Sequence, residues 1–256
     1  MFQTMKKLSY ILLSTIFLFQ CGEGSDGEFD IVNGGTSQGG SLARFAIVGN
    51  FLYIVNDFSL IPVSIANLQV PETLSEIELG IGIETIFPYN NHLFIGSSSA
   101  VYIYSIANDP AKPQYRSIYQ HSTGCDPVVV SGNYAYVTLR SGTFCNNLFN
   151  INVLDVVDVS NLTNPRQVFS VSMSNPRGLG VGCSGKLYVC EGPGGLKQFD
   201  ITNPAQPVLE QVYPQYAAND VIVKNDLLIV TGTDGVYQYS CASDTLQLLS
   251  ILPYAL

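Results

Sequence analysis

The chain has 256 residues with no tryptophan, two histidines and three methionines, and only 12% of it is Asp, Glu, Lys or Arg. A soluble domain commonly carries about 25% charged residues. The shortage of Lys and Glu excludes a long charged helix or coiled coil. Disorder is excluded as well, because disordered chains are rich in charge and poor in apolar residues, whereas 46% of this chain is hydrophobic. Basic residues are the scarcest charge: 11 Lys and Arg against 20 Asp and Glu give a net charge of −9. Such a balance argues against a nucleic-acid partner. Helix formers are few beside 23 Gly, 13 Pro and 15 Tyr, which argues against a mainly parallel α/β enzyme. What is left is one β-rich globular domain, long enough to bury a core.

The N-terminus reads as an address. Lys6 and Lys7 precede an apolar run from Leu8 to Phe19, and Cys21 follows at once. The run is shorter than the roughly 20 apolar residues that span a bilayer and is broken by Ser9, Ser14 and Thr15. It has the length of a signal-peptide core. Leu18-Phe19-Gln20-Cys21 resembles a bacterial lipoprotein signal, with Cys21 the lipidated residue, although Phe19 and Gln20 are bulkier than the usual residues there. An ordinary secretory signal followed by a chance cysteine is the alternative, and both take the mature protein out of the cytoplasm. Residues 1–20 are thus the signal, and losing Lys6 and Lys7 with no acid takes the charge from −9 to −11. Residues 21–40, rich in Gly, Ser, Asp and Glu, form a flexible acidic tether. Acidic residues soon after the cysteine resemble the surface-export signals of some Bacteroidetes lipoproteins. The expected home is the bacterial envelope, lipid-anchored at the outer membrane, facing the surface or the periplasm.

The remaining chain, 41–256, repeats itself. A turn followed by an apolar strand recurs five times, with Tyr53, Phe94, Tyr136, Tyr188 and Ile229 at the matching position. A second marker, Ser64, Ser105, Asp158, Asp200 and Ser240, ends another apolar strand in each unit and keeps nearly the same step. The repeats run over about 41–80, 81–124, 125–175, 176–215 and 216–256. Each holds four short runs of strand composition; in the fourth these are 177–183, 186–191, 195–201 and 207–213. Gly and Asn between the first two runs supply the positive φ of tight hairpins, and Pro presets a later turn. Four antiparallel strands per unit of about 40 residues predict an all-β fold, a β-propeller of about five blades.

Ser131-Gly132-Asn133-Tyr134-Ala135-Tyr136-Val137, then Leu154 to Asn161, Gly195-Leu196 and Phe199 to Pro204, carry a resemblance to the LVIVD repeat family. That resemblance implies a propeller and an extracytoplasmic home, with no settled activity. Repeats one, two and five depart from it, having Ser where the pattern has Asp.

In a propeller the loops leading into the inner strands share one face with those joining second to third strands. Arg44, Glu84, Asp126, Arg177, Asn219 and Asp220 begin the inner strands and are expected to ring one mouth of the channel. An insertion on the same face, about Ser141 to Asn150, makes Phe144 and Phe149 candidates for recognition; a plain loop elaboration is the alternative. Cys125 and Cys145 fall at one end of one blade and are the expected disulfide, with Cys190 the rival partner. Cys183 and Cys241, within strands, read as small buried apolar residues. Zinc is disfavoured, since no Cys-x2-Cys spacing exists and only His92 and His121 could assist. No catalytic motif is present: no Gly-x-Ser-x-Gly, no His-Glu-x-x-His and no P-loop. The expected function is a non-enzymatic binding module for a glycan, peptide or partner protein, without cofactor. The alternatives are a channel-centred hydrolase or lyase, with a divalent cation on Glu84, Asp126 and Asp220, and a structural subunit of an envelope complex.

Overall fold

The computed structural model describes residues 40–121, 124, 127–141, 152–183 and 185–255. They form five antiparallel sheets, each made from consecutive strands. Blade 1 has β1 (Phe45–Val48), β2 (Phe51–Val55) and β3 (Ser59–Ser64), with its outer strand split into β4 (Glu72–Thr73) and β5 (Ile77–Glu78). Blade 2 has β6 (Ile83–Tyr89), β7 (His92–Ser97), β8 (Ala100–Ser105) and β9 (Gln114–Gln120). Blade 3 has β10 (Val128–Ser131), β11 (Tyr134–Arg140), β12 (Asn152–Asp158) and β13 (Arg166–Ser172). Blade 4 has β14 (Leu179–Gly182), β15 (Lys186–Cys190), β16 (Leu196–Asp200) and β17 (Val208–Tyr213). Blade 5 has β18 (Ala218–Lys224), β19 (Leu227–Gly232), β20 (Gly235–Ser240) and β21 (Gln247–Pro253). The fold is the predicted five-bladed β-propeller.

The two repeat markers have physical causes. The first is a side chain that fills the seam to the next blade: Tyr53, Phe94, Tyr136 and Tyr188 are 0–1% exposed. Two of these tyrosines also tie blades together, since the Tyr53 hydroxyl donates to Pro110 O (2.8 Å) and the Tyr136 hydroxyl to Pro204 O (3.0 Å). The tyrosine of one repeat therefore meets the turn proline of the next. The second marker closes a turn after the third strand. Asp158 and Asp200 accept from the backbone N–H two residues on, at 2.8 and 2.6 Å. Ser105 and Ser240 accept the equivalent bond at 3.4 Å. The serine-bearing repeats thus keep the same turn with a weaker bond.

A further regularity has no counterpart in the sequence reading. Where the third strand meets the outer strand, the register slips at the same place in blades 2, 3, 4 and 5, next to Tyr104, Val157, Phe199 and Tyr239. Such a bulge sharpens the twist of the strand pair.

The cysteines depart from expectation. Cys183 and Cys241 are joined in a disulfide with Cα atoms 5.7 Å apart, rather than being separate buried apolar residues. The bond links the first hairpin of blade 4 to the end of the third strand of blade 5. Cys190 is a free, buried thiol. Cys21, Cys125 and Cys145 lie outside the described residues.

Candidate functional site

Four of the predicted mouth residues, Arg44, Glu84, Arg177 and Asn219, lie along one arc, and two unpredicted residues, Asp57 and Arg140, join them. Glu84 lies in the field of Arg44, Arg140 and Asp57, and Arg140 lies in the field of Arg177 and Glu84. Arg177 donates from Nη1 to Asn219 Oδ1. Arg44 Nη2 reaches Asp57 Oδ1 at 2.6 Å and Ile83 O at 3.2 Å. The result is an arc of charged and polar side chains running Asp57, Arg44, Glu84, Arg140, Arg177, Asn219 across all five blades. Asp126 lies outside the described residues, as do Phe144 and Phe149.

Strand ends set these positions. Arg140 is the last residue of β11, immediately before the insertion. Arg177 precedes β14 and is held through its backbone, whose N–H donates to Cys190 O (2.8 Å) and whose carbonyl accepts from Thr138 Oγ1 (2.7 Å). Its Nε–H is buried with no partner among the described residues. The glycine turn 192–195 lies against this side chain. A Cβ on Gly192 would stand 2.8 Å from Arg177 Nε, and its φ of +55° also favours glycine. Buried Glu191 anchors that turn, accepting from Ser174 N (2.8 Å) and pairing with Lys197 Nζ (3.0 Å). Sequence reading missed both Arg140 and Glu191. Arg140 had a signal, because it ends a second strand on the face already assigned to the mouth; Glu191 had none.

The electrostatics follow from burial. Desolvation pushes Glu84 up to about 7 from 4.5, although Arg44 and Arg140 pull the other way. Desolvation, reinforced by Arg177, pushes Arg140 down, and Glu84 opposes that shift. A carboxyl titrating near neutrality therefore sits in the field of Arg44 and of Arg140, whose guanidinium is partly stripped of water.

Asp220 is engaged differently. Its Oδ1 accepts from Val221 N (2.9 Å) and from Ser41 Oγ (3.3 Å), while Ser41 Oγ itself accepts from Leu179 N (2.7 Å). The side chain fits between two glycines, since a Cβ on Gly178 would lie 2.0 Å from Oδ1 and one on Gly40 2.1 Å from Oδ2. Asp220 thus clasps the lead-in segment Gly40–Ala43 to blades 4 and 5. Burial pushes it up to about 6 from 3.8, against the hydrogen bonds it accepts. Among the described residues no three His, Cys, Asp or Glu side chains converge as a metal site would need.

Comparison with known proteins bears on the fold and the repeat. Residues 125–145 and 149–173 match the family model of the LVIVD repeat. No curated protein matches in sequence. Among solved structures, the chain is similar to a periplasmic gluconolactonase of Pseudomonas aeruginosa, with TM-score 0.63 and 13% identity over 80% of this chain and 68% of that one. It is likewise similar to a putative 6-phosphogluconolactonase of Bacteroides fragilis, with TM-score 0.65 and 11% identity over 82% of this chain and 69% of that one. Apo AztD of Citrobacter koseri gives TM-score 0.57 and 13% identity over 78% of this chain and 59% of that one. At such identities the likeness is one of fold.

Proposed function

We propose that this chain, a five-bladed β-propeller whose residues 125–145 and 149–173 match the LVIVD repeat, is an exported binding module whose site is the arginine-lined mouth. The carrying observation is the gathering of Arg44, Arg140 and Arg177 at one mouth in a chain whose net charge is −9. The ligand class this favours is a small molecule bearing a carboxylate, sulfate or phosphate, which guanidinium groups grip with paired hydrogen bonds. Phe144 and Phe149, in the insertion that follows Arg140 and outside the described residues, are the aromatics this reading assigns to the rest of the ligand or to a partner. Export and lipid anchoring belong to the same reading: Lys6, Lys7, the run Leu8–Phe19 and Cys21 support an outer-membrane lipoprotein. The disulfide Cys183–Cys241 supports an oxidising compartment.

Isothermal titration with gluconate and with sulfate tests the site, both ligands being fully ionised near pH 6 and near pH 8. Binding is expected to be tighter near pH 6, where Glu84 is mostly neutral, than near pH 8, where its carboxylate repels an anion. Arg140→Ala and Arg177→Ala are each expected to weaken binding by roughly 10- to 100-fold, the worth of a charge-assisted hydrogen bond. Absence of binding by either anion near pH 6 would remove the reading.

Glu84 favours a second reading. A carboxylate titrating near neutrality can take the proton of a water that attacks a lactone carbonyl, while neighbouring guanidinium groups stabilise the oxyanion. The ring C–O bond then breaks as the Glu84 carboxyl returns that proton to the departing ring oxygen, giving a hydroxy acid. The names of the gluconolactonase-like fold neighbours suggest that substrate class. Glu84→Gln separates the two readings. A binding module keeps its anion affinity and loses the pH dependence, whereas a hydrolase loses acid release from a δ-lactone.

A further inference from the structure

The mouth arginines are held in different ways. Arg177 gives Nη1 to the amide oxygen of Asn219, and Arg140 lies in the field of Glu84. Arg44 instead pairs, Nη2 to Oδ1 at 2.6 Å, with the carboxylate of Asp57, and the two side chains are 48% and 68% exposed. Asp57 belongs to the turn that joins β2 to β3. That turn is fixed without the pair. Asn56 Oδ1 accepts from Phe58 N (2.8 Å), Ser59 N (2.8 Å) and Ser59 Oγ (2.9 Å), and Asp57 O accepts from Ile83 N (3.1 Å). Arg44 has a second hold as well, since Nη2 also donates to Ile83 O (3.2 Å). The contrast within the same chain is Glu191 with Lys197, where the glutamate side chain is 2% exposed and anchors a turn. An ion pair as open to water as Arg44–Asp57 is worth about five-fold in an equilibrium at most, so a competing anion can break it.

We infer that Asp57 is the ligand's built-in rival at the mouth, a carboxylate of this chain that an anion displaces from Arg44 in order to bind. The inference rests on the anion-binding reading of the mouth and adds to it a residue that sets the affinity. Binding exchanges one contact of Arg44 for another, and Asp57 turns into water by rotation of its side chain while Ile83 holds its backbone. The charge of Asp57 also reaches past Arg44, for it acts on Glu84 along the same arc. An anion seated on the arginines therefore meets Asp57 as a like charge, and a dianion meets it about twice as strongly as a monoanion.

Isothermal titration of the wild type, Asp57→Asn and Asp57→Ala near pH 6 tests this, with gluconate as the monoanion and sulfate as the dianion. Both variants are expected to bind both anions more tightly, by roughly two- to five-fold for gluconate and by a larger factor for sulfate. A residue that merely positions Arg44 gives the opposite result, with weaker binding in both variants and Asp57→Ala the worse. Carbon-13 NMR supplies a readout without ligand. Glu84, raised to about 7 in the wild type, is expected to titrate lower in both variants, because a like charge is gone and Arg44 is released toward it. Unchanged circular dichroism verifies folding. Wild-type binding that the variants leave equal or weaken overturns this inference alone, as does a gain for sulfate no larger than that for gluconate or a Glu84 titration that does not fall. Failure of all three proteins to bind either anion removes the mouth reading and this inference together.

Discussion

Asp220 shows what one buried carboxyl can do to a small all-β domain. Its ordinary value of 3.8 is raised to about 6, and desolvation is the largest cause. The folded chain therefore holds a proton at Asp220 between about pH 4 and pH 6 that the unfolded chain has already released. Stability falls as pH rises through that window, and the full penalty of an ionised, buried carboxylate stands above it. Asp220→Asn removes this dependence. Denaturant unfolding of the two proteins is expected to shift in favour of the variant by about 1–3 kcal/mol between pH 4 and pH 7. This shift counts whatever fixed difference the amide introduces at low pH. Parallel pH profiles would show that Asp220 ionises as it does in water. The same residue explains why Gly40 and Gly178 are glycines, because any Cβ there would meet its carboxylate.

At the scale of strands and turns, the sequence was most legible where a rule repeats. Alternation, turn chemistry and the tyrosine and aspartate markers place all five blades, and the boundaries read for the fourth repeat fall within a few residues of β14 to β17. The disulfide was illegible for a physical reason. Cys183 ends one hairpin and Cys241 follows β20, with 58 residues between them. They meet only when blades 4 and 5 stack, whereas pairing by chain position looks within one blade. Closing a loop of that length removes much unfolded-chain entropy, about 2–4 kcal/mol in typical cases. The double variant Cys183→Ser, Cys241→Ser is expected to lose that amount in denaturant unfolding, and the wild type should lose a similar amount on reduction. If reduction left the midpoint unchanged, the bond would contribute nothing to the fold. Arg140 was overlooked for a related reason: it belongs to no repeat marker, and its closeness to Glu84 and Arg177 comes from the convergence of three blades on one axis.

At the scale of the whole molecule, each blade packs only on its neighbours, so the chain behaves as a short circular array whose weakest seam sets where opening starts. Repeats in a sequence announce how many blades exist; they do not announce whether the last meets the first, because that depends on small tilts accumulated over five sheets. The burial of equivalent residues settles the local question here. Blades 2, 3 and 4 are packed on both sides by filled seams, while blades 1 and 5 each have one filled and one half-covered flank. Blade 5 retains an extra link to blade 4 through Cys183–Cys241, and blade 1 has no described covalent counterpart. Native-state hydrogen exchange is therefore expected to rank the second strands, with β7, β11 and β15 best protected, β19 intermediate and β2 least. Reduction of the disulfide should lower β19 toward β2 and leave β11 unaffected. Uniform protection across all five second strands in dilute protein would mean that the fifth seam is as tight as the other four.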